Sequence, residues 1–185
     1  MIERRPEWPP RLARLISIAA HPFVLSPLTA ALAIRNLRWT LILVASTVLP
    51  LAAVLLWKVR RGVWSDYDVS RREQRSGLYW IAIPMFAAAA FLAPLPPWFR
   101  RSMLSLVCAL VIGLLLDRWL KTSLHLMMAA FCAVILWRVF PWSAVAMALV
   151  LAALAWSRWI LKRHTVPEII TGTILGLAAG IYTIS

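Results

Sequence analysis

The run Ser157-Arg158-Trp159-Ile160-Leu161-Lys162-Arg163-His164-Thr165-Val166-Pro167-Glu168 carries the most chemically pointed spacing in the chain. His164 and Glu168 are four residues apart, one helical turn, with Pro167 suited to the first turn of a helix and Thr165 to its N-cap. A carboxylate in that position hydrogen-bonds one imidazole nitrogen and fixes the tautomer. It also stabilises the imidazolium and leaves the other nitrogen as nucleophile or base. Taken alone, the pair also fits a surface histidine beside a helix-capping glutamate.

Two further clusters have related potential. Lys121-Thr122-Ser123-Leu124-His125 opens an apolar segment. A cap at Thr122 or Ser123 would turn free N–H groups and the positive end of the helix dipole outward, an anion site with Lys121 alongside and His125 within one turn. Ser65-Asp66-Tyr67-Asp68-Val69-Ser70-Arg71-Arg72-Glu73-Gln74-Arg75-Ser76-Gly77 places Arg72 and Arg75 at i, i+3. On one helical face they offer planar forks that match phosphate oxygens. The plainer alternatives are snorkelling groups at a membrane interface for Lys121 and His125, and a solvated basic loop for the arginines.

The elements that must position these groups are set by composition. The chain has 185 residues, of which 62% are hydrophobic and only 15% charged, and its mean hydropathy is +0.79. That leaves too little charge to coat a water-soluble globule and excludes collagen-like, disulfide-framed and disordered classes. One integral-membrane domain over 1–185 is expected, with a short polar N-terminal arm at 1–11 that stays attached rather than acting as a cleaved signal. Lys and Arg number 20 against 7 Asp and Glu, so the polar surface is mainly cationic and suits anionic lipid headgroups, phosphorylated substrates or nucleic acid. Lipid phosphates and membrane lipids, rather than nucleic acid, are the expected partners. Cys108 and Cys132 have no CxxC partner and read as core residues, so no metal site, redox motif or cofactor is indicated.

Seven apolar stretches approach the length of about 20 residues that a spanning helix needs. They run over 12–34, 39–57, 78–95, 102–119, 122–139, 141–158 and 166–185. Without period-2 alternation, helices are the only spanning element available, so the fold class is all-α: a polytopic helical bundle of six or seven spans. His21-Pro22 and Pro27 kink the first stretch, and His21 itself reads as a hydrogen-bonded packing residue. Most of the 11 tryptophans sit near segment ends, as in interfacial belts. Gly172, Gly176 and Gly180 share one helical face that admits a close neighbour, a seam within one bundle, or else a contact with a second copy in a homo-oligomer.

If each stretch crosses once, one face collects Arg4, Arg5, Arg11, Arg14, Lys58, Arg60, Arg61, Arg71, Arg72, Arg75, Arg118, Lys121, Arg158, Lys162 and Arg163. The other holds only Arg35, Arg38, Arg100, Arg101 and Arg138. Two apolar stretches separate Arg75 from His125 and two more separate His125 from Arg158, so those loops are co-facial even if a terminal stretch does not span. Any chemistry belongs on that face.

Together the three clusters resemble the type 2 phosphatidic acid phosphatase superfamily, membrane helical bundles that remove phosphate or pyrophosphate from lipids. Its third motif, Ser-Arg, five residues, His, three residues, Asp, is matched in register by Ser157, Arg158 and His164, with Glu168 in place of Asp. Its second, Pro-Ser-Gly-His, is matched by Thr122-Ser123-Leu124-His125, which keeps Ser and His. In its first, Lys, six residues, Arg-Pro, Arg75 takes the Arg position, Ser76 replaces Pro and Asp68 stands where Lys belongs. Arg71, Arg72 or Lys121 is then the candidate for the missing cation.

The resemblance implies a phosphohistidine on His164, oriented by Glu168, with His125 as the acid toward the leaving group and Arg158, Arg75 and Ser123 holding phosphate oxygens. Charge and position add Arg72 and Lys121. No metal is needed, because phosphoryl transfer calls mainly for positioning and charge neutralisation. The expected substrate is an isoprenoid or glycerolipid phosphate or diphosphate. Two other readings stand beside it. One is a membrane prenyl- or phosphatidyl-transferase with Asp66 and Asp68 holding Mg²⁺. The other is a degenerate, non-catalytic phospholipid binder. A bacterial-type cytoplasmic membrane is the expected location, and the charge bias places the catalytic face in the cytoplasm.

Overall fold

The computed structural model describes residues 8–69, 71–93 and 95–185. Residues 1–7 of the N-terminal arm, with Arg4 and Arg5, lie outside the described residues, and its remaining residues, 8–11, are helical.

The described residues form helices and no strand. The first apolar stretch is two helices, α1 (Trp8–Ala19) and α2 (Pro22–Ile34), bent by 45°. The break is local chemistry. A residue before proline is pushed out of the helical region, and His21 is extended at φ −64, ψ 143. Its Nδ1 accepts from the Phe23 N–H at 3.2 Å, so the side chain caps the helix that Pro22 opens. The second stretch joins α3 (Leu37–Leu43) to α4 (Leu49–Arg60) through a π-helical turn at Val44–Val48, and the whole is one apolar span of 24 residues. Then come α5 (Arg72–Leu92), α6 (Pro97–Leu116), α7 (Leu124–Val139), α8 (Ser143–Ile160) and α9 (Val166–Ile184).

Among the described residues, five spans are long and apolar enough to cross a membrane, and the bent α1–α2 pair makes a sixth if it is one span. The chain is an integral-membrane, all-α bundle. Each of the seven apolar stretches read from the sequence corresponds to one of these units, α7 being the short one at 16 residues. At 1.5 Å per residue it measures about 24 Å, less than the hydrocarbon thickness of about 30 Å. A helix so short can serve because it is the central element, packed on α9, α8 and α2. Its N-terminal residues Thr122 and Ser123 are fully buried.

Close packing of α7 on α9 depends on the glycine face. A Cβ at Gly172 would strike the Ser123 carbonyl, one at Gly176 the Met127 carbonyl, and one at Gly180 would lie 2.7 Å from Val134 Cβ. The stripe is therefore a seam within one bundle, as the simpler expectation had it. The cysteines divide: Cys132 is buried, whereas Cys108 lies exposed on the outer side of α6, contrary to its reading as a core residue. At α6 the residues that turn inward are Ser105, Leu106 and Ala109.

The seam yields a stability test. Gly176→Ala is expected to lower stability in detergent by about 1–3 kcal/mol through overpacking. Ile174→Ala, on the exposed face of the same helix, should shift it by less than about 0.5 kcal/mol. Equal thermal-unfolding shifts for the two variants would refute the assigned contact.

Candidate active site

α9 begins with a capping box: the Thr165 side chain accepts from the Glu168 N–H and the Glu168 side chain accepts from the Thr165 N–H at 3.0 Å. The same carboxylate oxygen lies 3.1 Å from His164 Nδ1. The capping glutamate and the imidazole-orienting glutamate are thus one residue. With Glu168 ionised, Nδ1 bears the proton and Nε2 keeps its lone pair. His164 itself is held in the turn after α8, where its N–H reaches back to the Arg158 carbonyl at 3.3 Å.

Burial, reinforced by the charges of Arg75, Arg158 and Lys121, pushes His164 down to about 2 from its ordinary 6.5. These effects outweigh the carboxylate beside it, so the ring is neutral at physiological pH. Burial likewise lowers Lys121, with Arg75 adding to the effect. It raises Asp117, against the pull of Arg75.

α9 also fixes the next element. The Ser123 N–H donates to the Glu168 carbonyl at 3.1 Å, docking the start of α7 onto the first turn of α9. Ser123 is the N-cap position of α7, though its hydroxyl makes no capping bond. His125, 5% exposed, follows in the first turn. Arg75, 3% exposed, extends from α5 to donate to the Thr122 carbonyl and lies 3.7 Å from Asp117 Oδ1. Its guanidinium stacks on Tyr79 at 5.9 Å.

Arg158, 1% exposed near the end of α8, donates from Nη1 to Asp68 Oδ2 at 2.7 Å and to Ser17 Oγ at 2.8 Å. The neighbouring Ser157 hydroxyl donates to the Ala13 carbonyl at 2.6 Å, so both residues of the Ser-Arg pair anchor α1. The other carboxylate oxygen of Asp68 lies 3.6 Å from His125 Nε2 and 3.8 Å from His21 Nε2. The rings of His21 and His125 meet edge-on at 4.9 Å.

His125, His164, Arg75, Asp68 and His21 line one cavity of about 100 Å³ whose remaining walls are mostly apolar, from Pro22, Leu51, Leu55, Leu78 and Phe86 among others. Arg158 is a bonded neighbour of this set through Asp68 and His164, and Ser123 is bonded to Glu168, the partner of His164. The loops from three parts of the chain therefore converge as the parity of the apolar stretches required. Ser123 Oγ, His125 Nε2, Arg75 Nε and Arg158 Nε are buried without a hydrogen-bond partner. Each such group costs about 1–3 kcal/mol. Two of them, His125 Nε2 and Arg75 Nε, belong to residues that line the cavity, and Arg158 is bonded to a third, Asp68.

Comparison with family models, curated proteins and solved structures yields no match. The site is therefore read from its own geometry.

Arg72 and Lys121 are placed elsewhere. Arg72 is exposed and donates from Nε to the Asp117 carbonyl at 2.8 Å, closing the C-terminal end of α6, so it does not line the cavity. Lys121 donates from Nζ to the Arg163 carbonyl at 3.0 Å. It lines an open outer hollow with Lys162, Arg163, Glu168 and His164, so His164 borders both spaces. Asp66 and Asp68 part company as well: Asp66 borders an outer hollow and lies 3.6 Å from Arg163, while Asp68 faces the inner cavity paired to Arg158. They form no shared Mg²⁺ site.

Among the described residues, the group able to hold a metal ion is His21, Asp68 and His125, whose ligand atoms lie within 4.8 Å of one another. Their hydrogen bonding opposes it. His21 Nδ1 accepts from a backbone N–H, so its Nε2 carries the proton rather than a free lone pair, and Asp68 is already bonded to a guanidinium. The second oxygen of Asp68 stands near both rings without a hydrogen bond to either.

Two members of this trio carry more than the sequence assigned them. His21 has its acidic partner 47 positions away in the chain, and Asp68 occupies the place where the resemblance calls for a cation. One local sign of Asp68 exists in the backbone: the buried Val69 after it has φ 46, a costly conformation for a β-branched residue, of the sort that clusters at functional sites.

An imidazole held this low gives a direct test. The ¹⁵N shifts of His164 are expected to stay those of the neutral Nδ1–H tautomer from about pH 8 to about pH 5. A midpoint near its ordinary 6.5 would contradict the burial and charge described. The sign for stability follows: the unfolded imidazole takes up a proton below about 6.5 and the folded one does not, so His164 contributes stability above that pH and loses it as the pH falls.

Proposed function

We propose that this protein is a membrane lipid phosphatase that hydrolyses a phosphomonoester or diphosphate of an isoprenoid or glycerolipid through a phosphohistidine, in the manner of the type 2 phosphatidic acid phosphatases it resembles. The observation that carries the reading is the convergence of a carboxylate-oriented neutral imidazole, a second imidazole and one buried guanidinium on an apolar-walled cavity, with a second buried guanidinium, Arg158, bonded to the cavity-lining Asp68. An apolar cavity with a few convergent polar groups is the form a small-molecule site takes.

In the first step His164 Nε2 attacks phosphorus, forming the P–N bond as the P–O bond to the lipid breaks. Glu168 accepts from Nδ1–H throughout and stabilises the positive charge that develops on the ring. His125, with Asp68 3.6 Å away, gives a proton to the departing oxygen. In the second step His125 takes a proton from water, the oxygen attacks phosphorus, and the P–N bond breaks to release inorganic phosphate and regenerate neutral His164. The orphaned donors of Arg75, Arg158 and Ser123 serve the equatorial oxygens. Lys121, together with Lys162 and Arg163 in the outer hollow, offers phosphate an exit on the far side of His164.

The membrane is proposed to be a bacterial-type cytoplasmic one, with the site on the cytoplasmic face. Of the fifteen cations on this face, Arg71, Arg72, Arg75, Lys121 and Arg158 are set aside as candidates for substrate. The remaining ten still exceed the five opposite.

Purified protein should release phosphate from a panel of lipid phosphates in the presence of chelator and be blocked by vanadate. His164→Asn should reduce release to background, and His125→Asn should lower kcat by about 10²–10⁴-fold. Release that vanishes in chelator, or that survives His164→Asn, would overturn the mechanism. A cysteine at the exposed Ser65 position, in a chain lacking Cys108 and Cys132, should react with an impermeant maleimide only in inside-out vesicles. Labelling from the outside would reverse the assigned face.

A further inference from the structure

Behind the imidazole cavity lies a second chamber of about 60 Å³, and the two share Ser26, Thr47, Phe86, Leu106 and Met128 as a common rim. They are arranged in series. Along α2 the order is His21 and Pro22 in the first chamber, Ser26 at the rim, then Thr29, Ala30, Ala33 and Ile34 in the second. α6 and α7 repeat it: Leu110, Leu106, then Phe99, and His125, Met128, then Ile135. The 13 residues of α2 correspond to about 20 Å. A narrow, apolar passage thus leads from the charged cluster deep into the bundle.

Three helix irregularities fall at the shared rim. Pro27 lies inside α2 next to Ser26, Pro84 lies inside α5 two residues before Phe86, and the π-helical turn at Val44–Val48 contains Thr47. Prolines and π-bulges each displace backbone from the regular helical path. Here they do so at one level on three separate walls, where a long occupant must pass. Thr47 is 1% exposed, and its hydroxyl bonds back to the Leu43 carbonyl at 2.8 Å, leaving its methyl group for the passage.

We infer that this passage takes the single hydrocarbon chain of the lipid phosphate and sets the chain length the protein accepts, an inference that rests on the phosphatase reading for the head group. The occupant is identified by continuity: the passage opens onto the imidazoles and guanidiniums at one end, and its far chamber is lined by Ala30, Phe99, Met103, Phe131 and Ile135. A phosphate held at the mouth directs one apolar chain inward. Since lipid tails are as apolar as the passage, selection comes from steric fit and packing rather than from the hydrophobic effect.

The test uses alkylphosphonates from hexyl to hexadecyl, which bind a phosphate site without being hydrolysed, at fixed mole fraction in nanodiscs. Ala30→Phe and the milder Ala33→Leu, which is kept in case the first does not fold, reduce the deep chamber. Either is expected to lower the hexadecyl-to-hexyl affinity ratio about tenfold or more, the scale of an overpacking penalty. Ratios within about twofold of wild type in both folded variants would place the chain in the surrounding bilayer and overturn the inference. Turnover of hexyl phosphate by the wild type, abolished in His164→Asn, reads the head-group chemistry separately. Failure there with chain-dependent phosphonate binding intact would sink the phosphatase reading and leave the passage standing.

Discussion

A guanidinium buried to 1% exposure in an apolar bundle is the constraint around which this molecule is built. Arg158 cannot leave the interior without breaking the turn that holds His164, and it cannot stay there uncompensated, because an unpaired buried charge costs about 3–5 kcal/mol. Asp68 supplies the compensation from a loop 90 residues earlier, and Ser17 adds a neutral acceptor from α1. One ion pair therefore ties α8, α1 and the loop between α4 and α5 to a common point. The oxygen of Asp68 that Arg158 leaves unused lies near both His21 and His125, so the pair also decides where those rings stand.

That arrangement fits an aspartate, rather than a cation, at position 68. A lysine there would face Arg158 as a like charge, with Arg75, Lys121 and Arg163 nearby. An aspartate neutralises one of these cations and links the proton-carrying ring to a carboxylate. Both imidazoles then have a carboxylate neighbour, Glu168 for His164 and Asp68 for His125. The positions lost from the second motif are absorbed differently. Ser123 reaches its place because Gly172 lets α9 approach the Ser123 carbonyl directly and because the Ser123 N–H is fixed by Glu168.

What could be read from the sequence was whatever is local or periodic. The seven apolar stretches, the Thr165–Glu168 cap, the His164–Glu168 spacing, the break at His21-Pro22 and the glycine seam all depend on neighbours within a turn or two, and each is found in the structure. The co-facial placement of Arg75, His125 and Arg158 followed from counting apolar stretches alone. The role of His21 was not legible, since its partners Asp68 and His125 are brought in by the fold. Arg72 looked like a second phosphate fork on spacing, but the end of α6 needs a donor at the Asp117 carbonyl, and Arg72 is the side chain in reach. The π-helical turn at 44–48 likewise leaves no mark in an apolar run that reads as uninterrupted helix.

On the proposed phosphatase reading, the position of His164 on the wall between two unlike spaces lets one site serve a lipid and water together. On one side is the enclosed apolar cavity with Arg75 and His125, and on the other an open hollow lined by Lys121, Lys162 and Arg163. A phosphorylated nucleophile on that wall need not exchange both substrates through one opening. The leaving alcohol, with its hydrocarbon chain, departs into apolar surroundings, while the anion it leaves behind is drawn toward cations and solvent.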